Sequence, residues 1–384
     1  MQRRQFLQQL MTLPLISLSP LAAAANTRPR YLVLIELKGG NDSLNMLVPR
    51  QSAYYRARPS LAIADTDLLK LDADHGLNPV LAALEPAWAA GELAWLPGLG
   101  YPQPNRSHFR SIEIWETASA ADQYRDEGWA AESLRRYPLA PGQAAHAIVL
   151  GKDALAVSGP GVHTLQMDSA AQLARQARRL KMPGGQSANP TLAHILAVQS
   201  STADAAGKLA GGERMKMPEP EGKQQGGRFA KQFEEAAQLI SRGQAGPVIK
   251  LSLGSFDTHA NQQNVQNRLL KQLAQGLAQF RQQMQAAGLW DQVLVMSYSE
   301  FGRRVAENGS RGTDHGTAAA QLLMGGRVRG GIQHTMPSLT ELDAGDLRYR
   351  LDFRQLYSTV VQHWWQQTLP AHLASWPALN LLKS

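Results

Sequence analysis

The sequence predicts an α/β fold, a mainly parallel sheet sandwiched by helices. Two observations predict it. Short apolar runs of strand length recur at 31–37, 93–97, 147–150, 248–253, 293–298 and 321–324, and helical periodicity fills most of the intervals between them. Continuous apolar runs belong to strands covered on both faces, and their alternation with helices belongs to a sheet wound by crossovers. The composition agrees: 384 residues, 43% hydrophobic and 18% charged, suffice for a large buried core and exclude disorder of the chain as a whole.

In chain order, "YLVLIEL" (31–37) reads as the first strand, and "KGGNDSLN" after it supplies two glycines for a tight turn that presents Asn41, Asp42 and Ser43. Helical patterns follow at 79–90 and, after the run at 93–97, at 107–117, where the loop "YPQPNR" leads into an amphipathic segment. The strand at 147–150 precedes a helix at 170–180. Between 182 and 227 the chain is rich in Gly, Pro, Gln and Lys around a short helical pattern, which we read as an excursion within one domain spanning 28–384. A helix at 229–241, a strand at 248–253, a long Gln-rich helix at 262–287, strands at 293–298 and 321–324, and a helix at 353–367 complete the order. No internal repeat stands out.

The first 25 residues form an arginine-bearing n-region, an apolar stretch and a run of alanines, the pattern of a cleavable export signal. Pro14 and Pro20 interrupt it too often for a good membrane span, so no stable span is expected after cleavage. Arg3 and Arg4 ahead of Phe6 and Leu7 resemble a twin-arginine signal, which implies the twin-arginine export machinery as a partner and a periplasmic destination. Gln2 and Gln8 depart from that pattern and leave ordinary secretion open. The net charge of +8 is spread among acidic residues, without the interleaved aromatics of a single-strand nucleic-acid surface, so nucleic acid is not an expected partner. There is no cysteine, hence no disulfide and no thiolate ligand.

In open α/β sheets ligands sit beyond the carboxyl ends of the strands. Four segments place carboxylates or histidines there: Asp42 in "KGGNDS", Asp257 and His259 in "GSFDTHANQ", Glu300 in "SEFGRR", and Asp314 and His315 in "GTDHGT" ahead of the last strand. Carboxylates gathered with imidazoles repel one another unless a cation joins them, so the set points to one or two divalent ions, Zn, Mn, Mg or Ca. Such an ion activates water or a hydroxyl toward a phosphoryl or sulfuryl group. Ser107, at the start of the 107–117 helix, is the candidate nucleophile, and Arg106, Arg110 and Arg303 are candidate anion clamps. Each residue also has a plain structural role open to it. Asp42 and Asp257 suit helix caps, Ser107 an N-cap, Glu300 a surface ion pair, and Asp314 a loop turn.

The motifs "LKGGNDSLN", "YYRARPSLAI", "NRSHFRSIEIWET", "FDTHANQ", "SEFGRRVAENGSRGTDHGTAA" and "DFRQLYSTV" occur in this order, and together they resemble the exported bacterial family known as domain of unknown function 1501. That family is grouped by similarity with the alkaline phosphatase and sulfatase superfamily. The resemblance implies an alkaline phosphatase-like fold and hydrolysis of phosphate or sulfate esters, on an anionic small-molecule or polymer substrate. It puts Asp42 where the superfamily has its first metal aspartate and Ser107 where its nucleophile opens a helix. Asp257 and His259 match a later Asp and His pair, Glu300 the Asp of an Asp-His-Gly motif, and His315 the last histidine ligand. Phe301 stands where that motif has its histidine, and the Asp257–His259 interval is short, which implies an altered or missing second metal site. A non-catalytic periplasmic binding or assembly protein that retains the fold is the alternative.

Overall fold

The computed structural model describes residues 29–179, 188–210 and 227–383. The export signal expected at 1–25 lies outside them, as do 182–187 and 211–226 of the expected excursion. Nine strands join one sheet among the described residues. In chain order they are β1 (Tyr31–Leu37), β2 (Leu93–Gly100), β3 (Ala147–Leu150), β4 (Thr164–Gln166), β5 (Val248–Leu253), β6 (Val293–Tyr298), β7 (Ala319–Met324), β8 (Gly331–Ile332) and β9 (Leu351–Asp352). Their spatial order is β8-β2-β7-β6-β1-β5-β3-β4, with β9 also pairing β2. β1 runs parallel between β5 and β6, Leu34 facing Lys250 on one side and Met296 on the other.

The sheet is mainly parallel, with β7 antiparallel to both β2 and β6. The connection from Tyr298 to Ala319 contains no helix. A parallel return needs a crossover along the sheet, usually helical, whereas a loop confined to one edge brings the chain back antiparallel.

Helices cover both faces: α1 (His108–Thr117), α2 (Ala170–Arg179), α3 (Pro190–Ala210), α4 (Arg228–Ser241), α5 (Gln262–Ala286) and α6 (Arg354–Thr359). The alternation of side chains along β1 shows how. Val33, Ile35 and Leu37 enter a core shared with Phe233 of α4 and Leu270, Leu277 and Phe280 of α5. Leu32 and Leu34 enter the opposite core with Trp115 of α1 and Leu356 and Tyr357 of α6. Both sets are fully buried, each Leu or Ile contributing about 1.5–3 kcal/mol relative to exposure.

Two expected helices take another form. The 79–90 segment splits into a 3-10 turn (Pro79–Leu84) and a short α-helix (Glu85–Ala89), because Pro86 donates no N–H and suits only a helix start. The 353–367 segment is α6 followed by a π turn (Val360–Trp364). No helix among the described residues is long and apolar enough to cross a membrane.

The direction of the strands positions the site. β2, β6, β1 and β5 all run the same way, so their carboxyl ends share one edge, and β7 begins at that edge. Gly39 and Gly40, just past β1, have φ of +114° and +69°. A Cβ on Gly39 would lie 2.5 Å from the Asp257 nitrogen, and one on Gly40 would lie 2.4 Å from the Phe301 ring. The turn therefore needs glycine for both its handedness and its closeness to the two neighbouring loops.

Candidate metal centre

Three side chains from three strand-edge segments converge here. Asp257 stands four residues past β5, His108 is the first residue of α1, and His315 lies four residues before β7. One ligand atom from each can be chosen so that all lie within 4.8 Å of one another. His315 Nε2 is 3.1 Å from Asp257 Oδ1, and His108 Nε2 is 3.4 Å from Asp257 Oδ2.

The outer nitrogen of each imidazole is already engaged. His108 Nδ1 lies 2.8 Å from Glu300 Oε1, and His315 Nδ1 lies 2.9 Å from the Arg106 carbonyl oxygen. Both partners only accept, so both Nδ1 atoms carry the proton, and a neutral ring then turns its Nε2 lone pair toward Asp257. His108 Nε2 is buried and has no hydrogen-bond partner. Two imidazole lone pairs and a carboxylate facing one space are mutually repulsive until a cation or added protons join them. A held Nδ1–H with a free Nε2 is the arrangement found around metal-bound histidines. Two imidazoles, one carboxylate and no thiolate suit Zn or Mn better than the oxygen-seeking Mg and Ca.

The electrostatics follow from the contacts. Burial raises the Asp257 carboxyl, but Arg303, by its hydrogen bond and its charge, leads the groups that outweigh it and hold the pKa down at about 2. Burial also works against the Glu300 carboxylate, yet the hydrogen bond with His108 and backbone N–H groups that include Gly39 bring its pKa below the ordinary value. The same Glu300 contact raises the pKa of His108 against its own burial. His259 is lowered, chiefly by burial.

The structure gathers Asp257, Glu300 and His315 of the expected ligand set. Glu300 sits behind His108, as the acceptor that orients the ring. His259 Nδ1 is 3.1 Å from Asp257 Oδ1 at the exposed rim, so it is a neighbour outside the three-residue group. Ser107 is exposed and caps α1 without a side-chain hydrogen bond.

Several expectations need correction. Asp42 is buried beneath the edge and does not reach the cluster. Its oxygens take a bidentate pair from Arg58, at 2.6 and 3.0 Å, and the Gln262 amide at 2.5 Å. Asp314 accepts from the Asn308 amide at 3.1 Å, an exposed loop contact. Arg303 is no free anion clamp, because its buried guanidinium donates to the carbonyls of Gly39, Gly40, Phe256 and Thr313 and to Asp257. Arg110 pairs with Glu113 and donates to the carbonyls of Ala120, Ala121 and Gln123, away from the cluster. Arg106 is half-exposed and pairs with Asp346.

Sequence reasoning missed His108 and Arg58. His108 was visible as the imidazole beside the candidate nucleophile in "NRSHF", where it received no role of its own. Phe301 packs its ring 4.9 Å from that of His108 and 4.6 Å from that of His315, an apolar wall beside both imidazoles.

An α/β sheet whose strand-end loops carry a His-Asp-His group backed by a buried glutamate defines a protein with a candidate metal centre. The chain belongs to the family described as protein of unknown function (DUF1501), which it matches over residues 87–363. No curated protein is significantly similar to it in sequence. Among solved structures, it is similar to a protein in the alkaline phosphatase superfamily from Vibrio parahaemolyticus, at 11% identity over 81% of this chain and 64% of that one, TM-score 0.38. It is similar also to the lipoteichoic acid synthase LtaP from Listeria monocytogenes, at 9% identity over 77% and 65%, TM-score 0.32. A third is the integral membrane protein lipooligosaccharide phosphoethanolamine transferase A from Neisseria meningitidis, at 10% identity over 78% and 48%, TM-score 0.33. The chain thus spans less than two thirds of the length of each, and likenesses at these scores carry no argument about chemistry.

Proposed function

We propose that the protein is an exported, metal-dependent hydrolase of phosphate or sulfate esters, with one divalent ion held by His108, Asp257 and His315. One observation carries the reading: both imidazoles have Nδ1 fixed by an acceptor and turn Nε2 toward the same carboxylate. When bound, such an ion supplies Lewis-acid polarisation of a phosphoryl or sulfuryl oxygen and lowers the pKa of an adjacent hydroxyl or water. Glu300 fixes the tautomer and aim of His108, and the Arg106 carbonyl does so for His315. Ser107, exposed and one residue ahead of His108, is the proposed nucleophile, and the first-turn N–H groups of α1 favour negative charge beside it. Phe301 and the buried loops behind it limit water on the inner side.

The test is metal analysis of the dialysed protein together with hydrolysis of phenyl phosphate and phenyl sulfate. The reading expects about one Zn or Mn per chain and turnover of at least one ester. A protein that holds no divalent ion and cannot be reconstituted sinks it. The binding-protein alternative draws on the pairing of Asp42 with Arg58, which leaves a single candidate cluster among the described residues; retained metal with no turnover of either ester favours it. Export by the twin-arginine route rests on Arg3 and Arg4 alone. Normal periplasmic accumulation after replacing both with lysine would exclude that route.

A further inference from the structure

The edge of the sheet opposite the metal cluster gathers positive charge. Arg30 lies just ahead of β1, Arg327 and Arg329 just past β7, and Lys383 on the C-terminal segment that pairs back against them. β1 runs parallel to β6 and β7 antiparallel to it, so the start of β1 and the end of β7 share this edge. It lies roughly a strand length, about 20 Å, from the carboxyl ends that carry the cluster.

The way these cations are held sets the edge apart. Arg30 donates to the carbonyls of His363 and Trp364 at 3.2 and 2.6 Å. Arg327 donates to the Lys383 carbonyl at 3.4 Å and Arg329 to that of Leu382 at 2.9 Å. Lys383 donates to the carbonyls of Gly91 and Gly326 at 3.1 and 3.5 Å. Among the described residues none of the four pairs with a carboxylate, not even with Asp291, which stands beside Gly326. Elsewhere on the surface Arg50, Arg135 and Arg281 each have an acidic partner. A carbonyl satisfies an N–H group without cancelling its charge, so this edge keeps a positive field. Burial first, and then the charge of Arg327, lowers the pKa of Arg30, which puts the two guanidiniums within each other's field. Arg329 and Lys383 are exposed, Arg30 and Arg327 half-buried.

The four groups are tied to separate backbone segments along the edge and do not converge on one point, an arrangement that suits a broad anionic surface better than a single small anion. The sequence indicates which surface. The chain enters the fold at this same edge, and the residues ahead of Pro29 include the apolar stretch at 7–21 and a further cation, Arg28. An apolar stretch of that kind partitions to lipid, and basic residues beside its attachment meet the headgroups.

We propose that the edge formed by Arg30, Arg327, Arg329 and Lys383 docks on the surface of an anionic phospholipid bilayer and so holds the metal edge toward the water. The proposal is independent of the hydrolase reading, because it concerns where the protein sits and not what it turns over.

The test is flotation of the processed chain, residues 26–384, which keeps every described residue. Vesicles of phosphatidylglycerol and phosphatidylcholine in equal parts are compared with phosphatidylcholine alone. The protein should float with the first at low salt, stay behind with the second, and be released at about 1 M NaCl, where screening leaves a reach of about 3 Å. Arg329→Gln combined with Lys383→Gln, with the fold checked by circular dichroism, should weaken partitioning about 30-fold. Arg268→Gln with Lys271→Gln, which removes two exposed cations of α5, should leave it unchanged. Equal losses in the two double variants would overturn the assignment to this edge, and flotation with phosphatidylcholine alone would overturn the electrostatic argument. Release by soluble glycerol phosphate would replace the broad surface with a single-anion site, and retention on heparin without flotation would replace the bilayer with an anionic polymer; either overturns the proposal. Flotation that needs both phosphatidylglycerol and the two cations upholds it, even if neither phenyl ester is hydrolysed.

Discussion

Asp42 and Asp257 follow neighbouring parallel strands, emerge at the same edge of the sheet and each pair with an arginine, yet the surroundings give them opposite uses. Asp42 is buried with Arg58 bound bidentately and Gln262 completing its hydrogen bonds. Asp257 is about half-exposed, takes Arg303 on Oδ1, and faces two imidazoles whose outer nitrogens are committed elsewhere. A carboxylate whose acceptor sites are filled by fixed donors holds a fold together; one facing lone pairs across a solvent-reached gap is placed to gather a cation. Residue type and strand-end position alone do not separate the two cases.

The comparison breaks most sharply under paired substitution. Asp42→Ala strands the buried Arg58 charge and should cost about 3–5 kcal/mol of stability. Asp257→Ala takes the paired carboxylate from the buried Arg303 but leaves that guanidinium its four carbonyl acceptors, so it should also cost stability, though less than Asp42→Ala, while removing metal retention. Urea denaturation and metal stoichiometry of both variants check this. Equal stability losses would erase the distinction.

Glu300→Gln tests the groups behind the cluster and should have an intermediate effect. The amide keeps the volume but loses the charge that holds the His108 Nδ1 proton, so metal affinity should fall by about 10–100-fold. The pH dependence gives a second readout with a definite sign. Glu300 raises the pKa of His108, and a protonated imidazole cannot ligate. Metal retention in the wild type should therefore be full at higher pH and fall as pH drops, because the proton competes with the metal for His108 Nε2. In the metal-free protein, Glu300→Gln should move the His108 titration to lower pH, since the partner that raises it is lost. Metal retained after dialysis across a pH series measures the first, and imidazole NMR of the metal-free protein the second. An unmoved titration would show that Glu300 does not set the state of His108.

How much of this was legible in the sequence depends on whether a feature is local. The strands at 31–37, 147–150, 248–253 and 293–298 coincide with β1, β3, β5 and β6, because a strand buried on both faces writes itself as an unbroken apolar run. The edge at which Asp257, Glu300 and His315 meet follows from those runs. The tie between Arg58 and Asp42 spans 16 residues, and the contacts of Arg303 reach back to Gly39 and Gly40, 264 and 263 residues away. Nothing in a local pattern records which partner has used up a side chain's hydrogen-bonding capacity. His108 was hidden for a related reason. The serine before it drew the attention due to a helix start, while the acceptor that orients the imidazole, Glu300, stands 192 residues further on.

Ser107→Ala should have the smallest effect on stability and is the sharpest test of what the open region does. A serine N-cap that bonds a backbone N–H typically contributes about 0.5–2 kcal/mol, but Ser107 makes no such bond. The helix start is held otherwise: the Ser107 N–H donates to Asn105 Oδ1 at 2.8 Å, and the Ser111 N–H to the Ser107 carbonyl at 2.9 Å, contacts that alanine keeps. The thermal midpoint and metal content should therefore stay at their wild-type values while ester hydrolysis is lost. Each alternative outcome has a separate meaning. A lowered midpoint would make Ser107 a cap after all, a lowered metal content would draw it into the ligand group, and undiminished turnover in a stable, metal-replete Ser107→Ala protein would transfer the nucleophile's role to water.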